Sequence, residues 1–167
     1  VKNAISLVDN YDEKLGDSIV EAEKKTDKYE DKLGTYLVKV SALELTDEDS
    51  AQAATLLHVI GDIERIADHA LNVLESAQEI REKKLDFSDE CKQELAQIMG
   101  AVGEIIDHSY IAFTENNLEE AKLVEPLEQV VDDLQDVLKA RHIKRLQKGE
   151  CTVELGFVLS DLLRNFE

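Results

Sequence analysis

This sequence predicts an all-α fold, and three observations carry that expectation. Four long stretches place apolar residues at alternating steps of three and four. Residues suited to helix capping stand at their ends. One proline and seven scattered glycines leave too little turn chemistry for a sheet.

The elements follow in chain order. Residues 1–11, apolar at Ala4, Ile5, Leu7 and Val8, read as the tail of a helix. Residues 13–45 carry the seam Ile19, Ala22, Thr26, Tyr29, Leu33, Tyr36, Val40 and Leu43. Residues 47–84 open on Asp47, Glu48 and Asp49 and close on Arg81, Lys83 and Lys84, both placements suited to the helix dipole. Their seam is Leu56, Ile60, Ile63, Ala67, Ala70, Leu71 and Leu74. Residues 89–115 follow the cap Ser88 and present Leu95, Ile98, Val102, Ile105 and Ala112. Residues 118–148 follow Asn117, which with Glu120 forms a capping signal, and carry Ala121, Val124, Leu127, Val131, Leu134 and Leu138. Pro126 predicts either a kink or a later start for this helix. Lys144, Arg145 and Lys148 then precede Gly149, a natural stop. Residues 152–167, with Leu155, Val158, Leu159, Leu162, Leu163 and Phe166, read as the first half of another helix.

Two halves of the chain match each other. Aligning Glu64 with Glu167 brings Ile60 onto Leu163, Val59 onto Leu162 and Leu56 onto Leu159. In the preceding helix, Glu23 and Asp27 fall on Glu128 and Asp132. A repeat of about 100 residues is far above solenoid periods, so it implies a duplicated domain. The expected organisation is two pseudo-repeated three-helix bundles, residues 1–86 and 87–167, with both terminal helices truncated and the second bundle incomplete at its C-terminus.

Composition narrows the function. A net charge of −18 argues against nucleic-acid binding. Aromatics at 5% and the absence of tryptophan argue against a deep aromatic pocket. Cys91 and Cys151 lack metal-type spacing and read as free thiols in a reducing compartment. No apolar run reaches the roughly 20 residues of a membrane helix, and no signal peptide is visible. Neither a phosphate-binding glycine loop nor a hydrolytic Ser, Cys and His set is present, so no enzyme is expected.

The acids are more telling. Glu64 and Asp68 lie one helical turn apart on the edge of an apolar arc, with Gly61 leaving space beside them. Glu23, Asp27 and Glu30 flank the seam of the preceding helix. Such carboxylates repel unless neutralised, and oxygen donors suit divalent or iron-type ions. The plainer alternative is a solvated acidic stripe with Arg65 and Lys24 as local partners. The Glu-x-x-His signature of di-iron bundles is missing. The run from Lys139 to Arg145 could meet phosphate or anionic lipid, or simply suit a helix C-terminus.

The stretch Gly61-Asp62-Ile63-Glu64-Arg65-Ile66-Ala67-Asp68-His69-Ala70 resembles the signature helix of PhoU-type proteins. The resemblance implies duplicated three-helix bundles whose acidic motifs bind metal ions. It assigns Glu64, Asp68, Glu23 and Asp27 as ligands in the first copy and Glu128, Asp132 and Glu167 in the second, where the incomplete motif weakens the site. The stretch from Arg141 to Cys151 resembles one branch, the cytoplasmic C-terminal domain of bacterial Na⁺/phosphate cotransporters. An opening valine, a short first helix and an early stop suit a domain excised from a longer protein. The implied function is a non-enzymatic regulatory domain controlling phosphate uptake. It would act at the inner face of the cell membrane on a transporter domain, in the same chain or a separate one, and homodimerise. The alternatives are a free-standing PhoU regulator acting on an ABC phosphate transporter and a sensor kinase, and a metal-free structural bundle.

Overall fold

The computed structural model describes residues 1–167 and is all-α, with six helices and no strand. They are α1 (Lys2–Asp9), α2 (Glu13–Ser41), α3 (Asp47–Glu82), α4 (Asp89–Thr114), α5 (Leu118–Gln147) and α6 (Val153–Phe166). The caps anticipated at Ser88 and Asn117 form. Ser88 accepts from Cys91 N–H, and Asn117 accepts from Glu119 and Glu120 N–H. Asp12 and Thr152 cap α2 and α6 in the same way. Gly149 ends α5 with φ at +73°, a region that favours glycine. Pro126 neither starts nor ends α5, which runs through it.

Two compact units divide the chain inside α3, between Leu74 and Glu75. In the unit formed by residues 75–167, α4, α5 and α6 pack on one another. Its core includes Leu95, Ile98, Val131, Leu138, Val158, Leu162 and Leu163, and Ile98, Leu162 and Leu163 are wholly buried. In the unit of residues 3–74, α1 has only eight residues against 29 in α2. Several expected seam residues are consequently open. Tyr29 and Tyr36 of α2 and Leu43 just after it are each more than 60% exposed, and Leu56 and Ile63 of α3 are nearly half exposed.

The internal repeat makes the cause legible. Leu56 and Ile63 align with Leu159 and Phe166, which are buried in α6. A helix pair shields only one narrow stripe on each partner, whereas a third helix covers the rest of a wide apolar arc. The 26-residue α4 does this in the second unit. On α2 the shielded positions are instead Ile19, Glu23, Thr26, Glu30, Gly34, Leu37 and Val40. On α3 they include Ala53, Leu57, Ile60, Glu64, Ala67, Leu71 and Leu74.

Candidate functional site

Three glutamates, Glu23 and Glu30 on α2 and Glu64 on α3, are half-buried. Glu64 on α3 lies within electrostatic reach of Glu30 and Asp27 on α2, with Asp68 one turn along its own helix. Partial burial, then the Asp68 charge and a hydrogen bond to Asp68, then Glu30 and Asp27, hold the Glu64 carboxyl above its ordinary value. Glu23 is half-buried on the same stripe as Glu30, whereas Asp27 and Asp68 face solvent. Gly61, about one turn before Glu64, is open, with nothing within 4 Å of where a Cβ would stand.

The second copy shows what relieves such a stripe. The repeat places Gln135 where Glu30 stands and Glu167 where Glu64 stands. Gln135 Nε2 donates to Leu163 O at 2.8 Å and to Glu167 Oε2 at 3.4 Å. An acid facing an acid in the first copy is thus an acid facing an amide donor in the second. Glu128 and Asp132 lie exposed on α5. The seven predicted ligands offer only oxygen donors, a set that suits a hard cation. No three of the His, Cys, Asp and Glu side chains converge closely enough to hold an ion as they stand. Glu30 faces Glu64 but was not among the predicted ligands; its place opposite Gln135 in the repeat was the available signal.

The ridge has a testable electrostatic consequence. A carboxyl whose pKa is raised binds its proton more tightly in the folded chain than in the unfolded one. Stability of residues 3–74 should therefore rise as pH falls through that raised value, in the window just above 4.5. Without metal, the double change Glu64→Gln and Asp68→Asn should raise the melting temperature at pH 7 and abolish this pH response. If a divalent ion binds the ridge, adding it should stabilise the parent chain and not the variant. Thermal melts with and without chelator read both outcomes.

The residues 75–167 unit holds a different charged cluster. Glu94, 7% exposed, is shared by two arginines of α5. Arg141 Nη1 donates to its Oε1 and Arg145 Nη2 to its Oε2, each at 2.9 Å. Burial opposes ionisation of Glu94, but the two guanidiniums prevail and hold its pKa below the ordinary value. Next to them His142 is buried, with Nδ1 3.5 Å from Cys151 Sγ and Nε2 unpartnered. Burial, then the charge of Arg145, lowers its pKa. Cys91 is buried and its thiol is pushed up to about 11, chiefly by that burial. Both cysteines are free. On α4 and α5, His108 Nδ1 meets Glu120 Oε2, a pair 12 residues apart that helical spacing alone did not reveal.

No helix is long and apolar enough to cross a membrane. Residues 1–77 match the family model of the PhoU domain. A stretch of 113 residues is 26% identical to the phosphate-specific transport system accessory protein PhoU homolog 1 of Thermotoga maritima, covering 68% of this chain and 48% of that protein. The matched stretch thus spans about half the length of this curated relative. No solved structure matches the chain significantly. The part of the chain similar to the PhoU domain contains all of α1 and α2 and most of α3, and with them the acidic ridge.

Proposed function

We propose that this chain is a non-enzymatic regulatory module of phosphate homeostasis, acting on a component of a phosphate transport system. The observation that carries the reading is the PhoU-domain match over residues 1–77. The Thermotoga maritima relative, by name an accessory protein of phosphate-specific transport, supports the same class of partner. In this reading the α2–α3 ridge is the regulatory element. A cation shared by Glu64, Asp68, Glu23 and Asp27 would relieve the repulsion across the helix pair and hold one spacing of the two helices. Glu128, Asp132 and Glu167 would form the weaker second set. Homodimerisation and a position at the cytoplasmic face of the membrane belong to the same proposal.

Two transporter contexts follow, a Na⁺/phosphate cotransporter and an ABC phosphate transporter, and the resemblance of Arg141–Cys151 to the cotransporter branch favours the first. Uptake of labelled phosphate by cells carrying the parent gene, or its Glu64→Gln, Asp68→Asn variant, tests the proposal. A change in uptake rate at unchanged transporter abundance is expected. A sodium requirement of the altered uptake selects the cotransporter. Identical uptake in the parent and in a gene-deleted strain would remove the regulatory reading.

A further inference from the structure

Five cations, Lys139, Arg141, Lys144, Arg145 and Lys148, fall within the ten residues that end α5 and form its C-cap, a stretch with no acid in a chain of net charge −18. Four of them line one cleft of about 580 Å³ against the start of α4. Lys139 turns away and donates to Gln135 Oε1 at 2.5 Å. Inside the cleft, Glu94 is a single carboxylate shared by two guanidiniums, so Arg141, Arg145 and Glu94 together keep one positive charge. Each guanidinium uses one terminal nitrogen on Glu94 and retains further donors, and Arg145 Nε is sealed from solvent without a partner. Lys144 is exposed, and the contact of Lys148 with Glu150 is long, at 4.0 Å. The first turn of α4 works against an anion, because Glu90, kept ionised by its own N–H and by Ser88, lines the cleft with Glu94 and Glu150, so that four cations face three carboxylates. The cations, not the helix N-terminus, give the cleft its character.

We propose that this cleft binds a phosphoryl anion, either free inorganic phosphate or the phosphate of an anionic lipid headgroup. A tetrahedral dianion needs donors from several directions. The enclosed guanidinium of Arg145, the exposed one of Arg141 and the flexible ammonium groups of Lys144 and Lys148 supply them. The local reversal of sign concentrates anions where the rest of the chain repels them. The proposal rests on the cleft alone and goes beyond the regulatory reading, which its failure would leave standing.

The test compares two double variants of equal charge change. Lys144→Gln with Lys148→Gln alters the rim, and Lys122→Gln with Lys139→Gln alters cations of α5 that do not line the cleft. Circular dichroism first confirms that both are folded. Titration with inorganic phosphate, followed by calorimetry, should show saturable binding that the rim variant weakens about tenfold and the control does not. In a second arm, vesicles of phosphatidylcholine with and without phosphatidylglycerol are sedimented with the protein. Retention on anionic vesicles alone, lost in the rim variant, assigns the lipid as the source. Absence of binding in both arms, or equal weakening by both variants, would overturn the proposal.

Discussion

Glu94→Gln is expected to destabilise residues 75–167 by about 3 kcal/mol. The amide preserves shape but leaves Arg145 in the interior without its counter-charge. Arg145 carries the larger share of the cost, because its side chain is 12% exposed, whereas that of Arg141 is 56% exposed and solvent screens its loss. The sign of the pH dependence follows from the depressed Glu94 pKa. The bridge stabilises fully above the unfolded carboxylate value and is lost as pH falls through the lower folded one. Parent and variant should therefore differ at pH 7 and converge in strong acid. Hydrogen exchange read separately on peptides of α4 and α5 measures this locally, which matters because a chain of two compact units need not unfold in one step. Equal protection of α4 and α5 in both proteins at pH 7 would refute it.

Gly156→Ala is expected to cost about 2 kcal/mol through overpacking. A Cβ there would stand 2.5 Å from His142 Nε2. The imidazole is 6% exposed, so its room to withdraw is limited. The cost should appear as faster exchange in α6, whose Leu162 and Leu163 are fully buried. Adding His142→Ala opens space for the new methyl. The double variant should lose less than the sum of the single losses, by about 1 kcal/mol in a mutant cycle. Strict additivity would mean that the close approach is not what requires glycine.

The two units should respond oppositely to acid. His142 is held below its ordinary 6.5, so the folded chain binds its proton less tightly and stability falls as pH drops below that value. Loss of the Glu94 bridge follows at lower pH. Over the window just above 4.5 the Glu64 ridge gains stability instead. Exchange profiles of α2 and α5 across this range separate the two effects.

Much of this was legible in the linear sequence. Helix starts at Ser88 and Asn117, the stop at Gly149 and the six elements themselves are local, because a cap or a three-four spacing acts over a few residues. The i, i+4 acid pair of Glu64 and Asp68 was equally local. The predicted seam through Tyr29, Leu33 and Tyr36 was less secure. Periodicity marks an apolar arc but does not say how many neighbours are available to cover it.

The sequence by itself determined that this chain is helical, where its caps lie, and which acids share a helix edge. Only the tertiary structure decided that Glu30 approaches Glu64, that Gln135 takes the corresponding place beside Glu167, and that Arg141 and Arg145 converge on Glu94 from 47 and 51 residues away. The physical reason is range. Capping and helical periodicity are set by neighbours along the chain, whereas burial of a charge and the partner that balances it depend on which other helix arrives at that face.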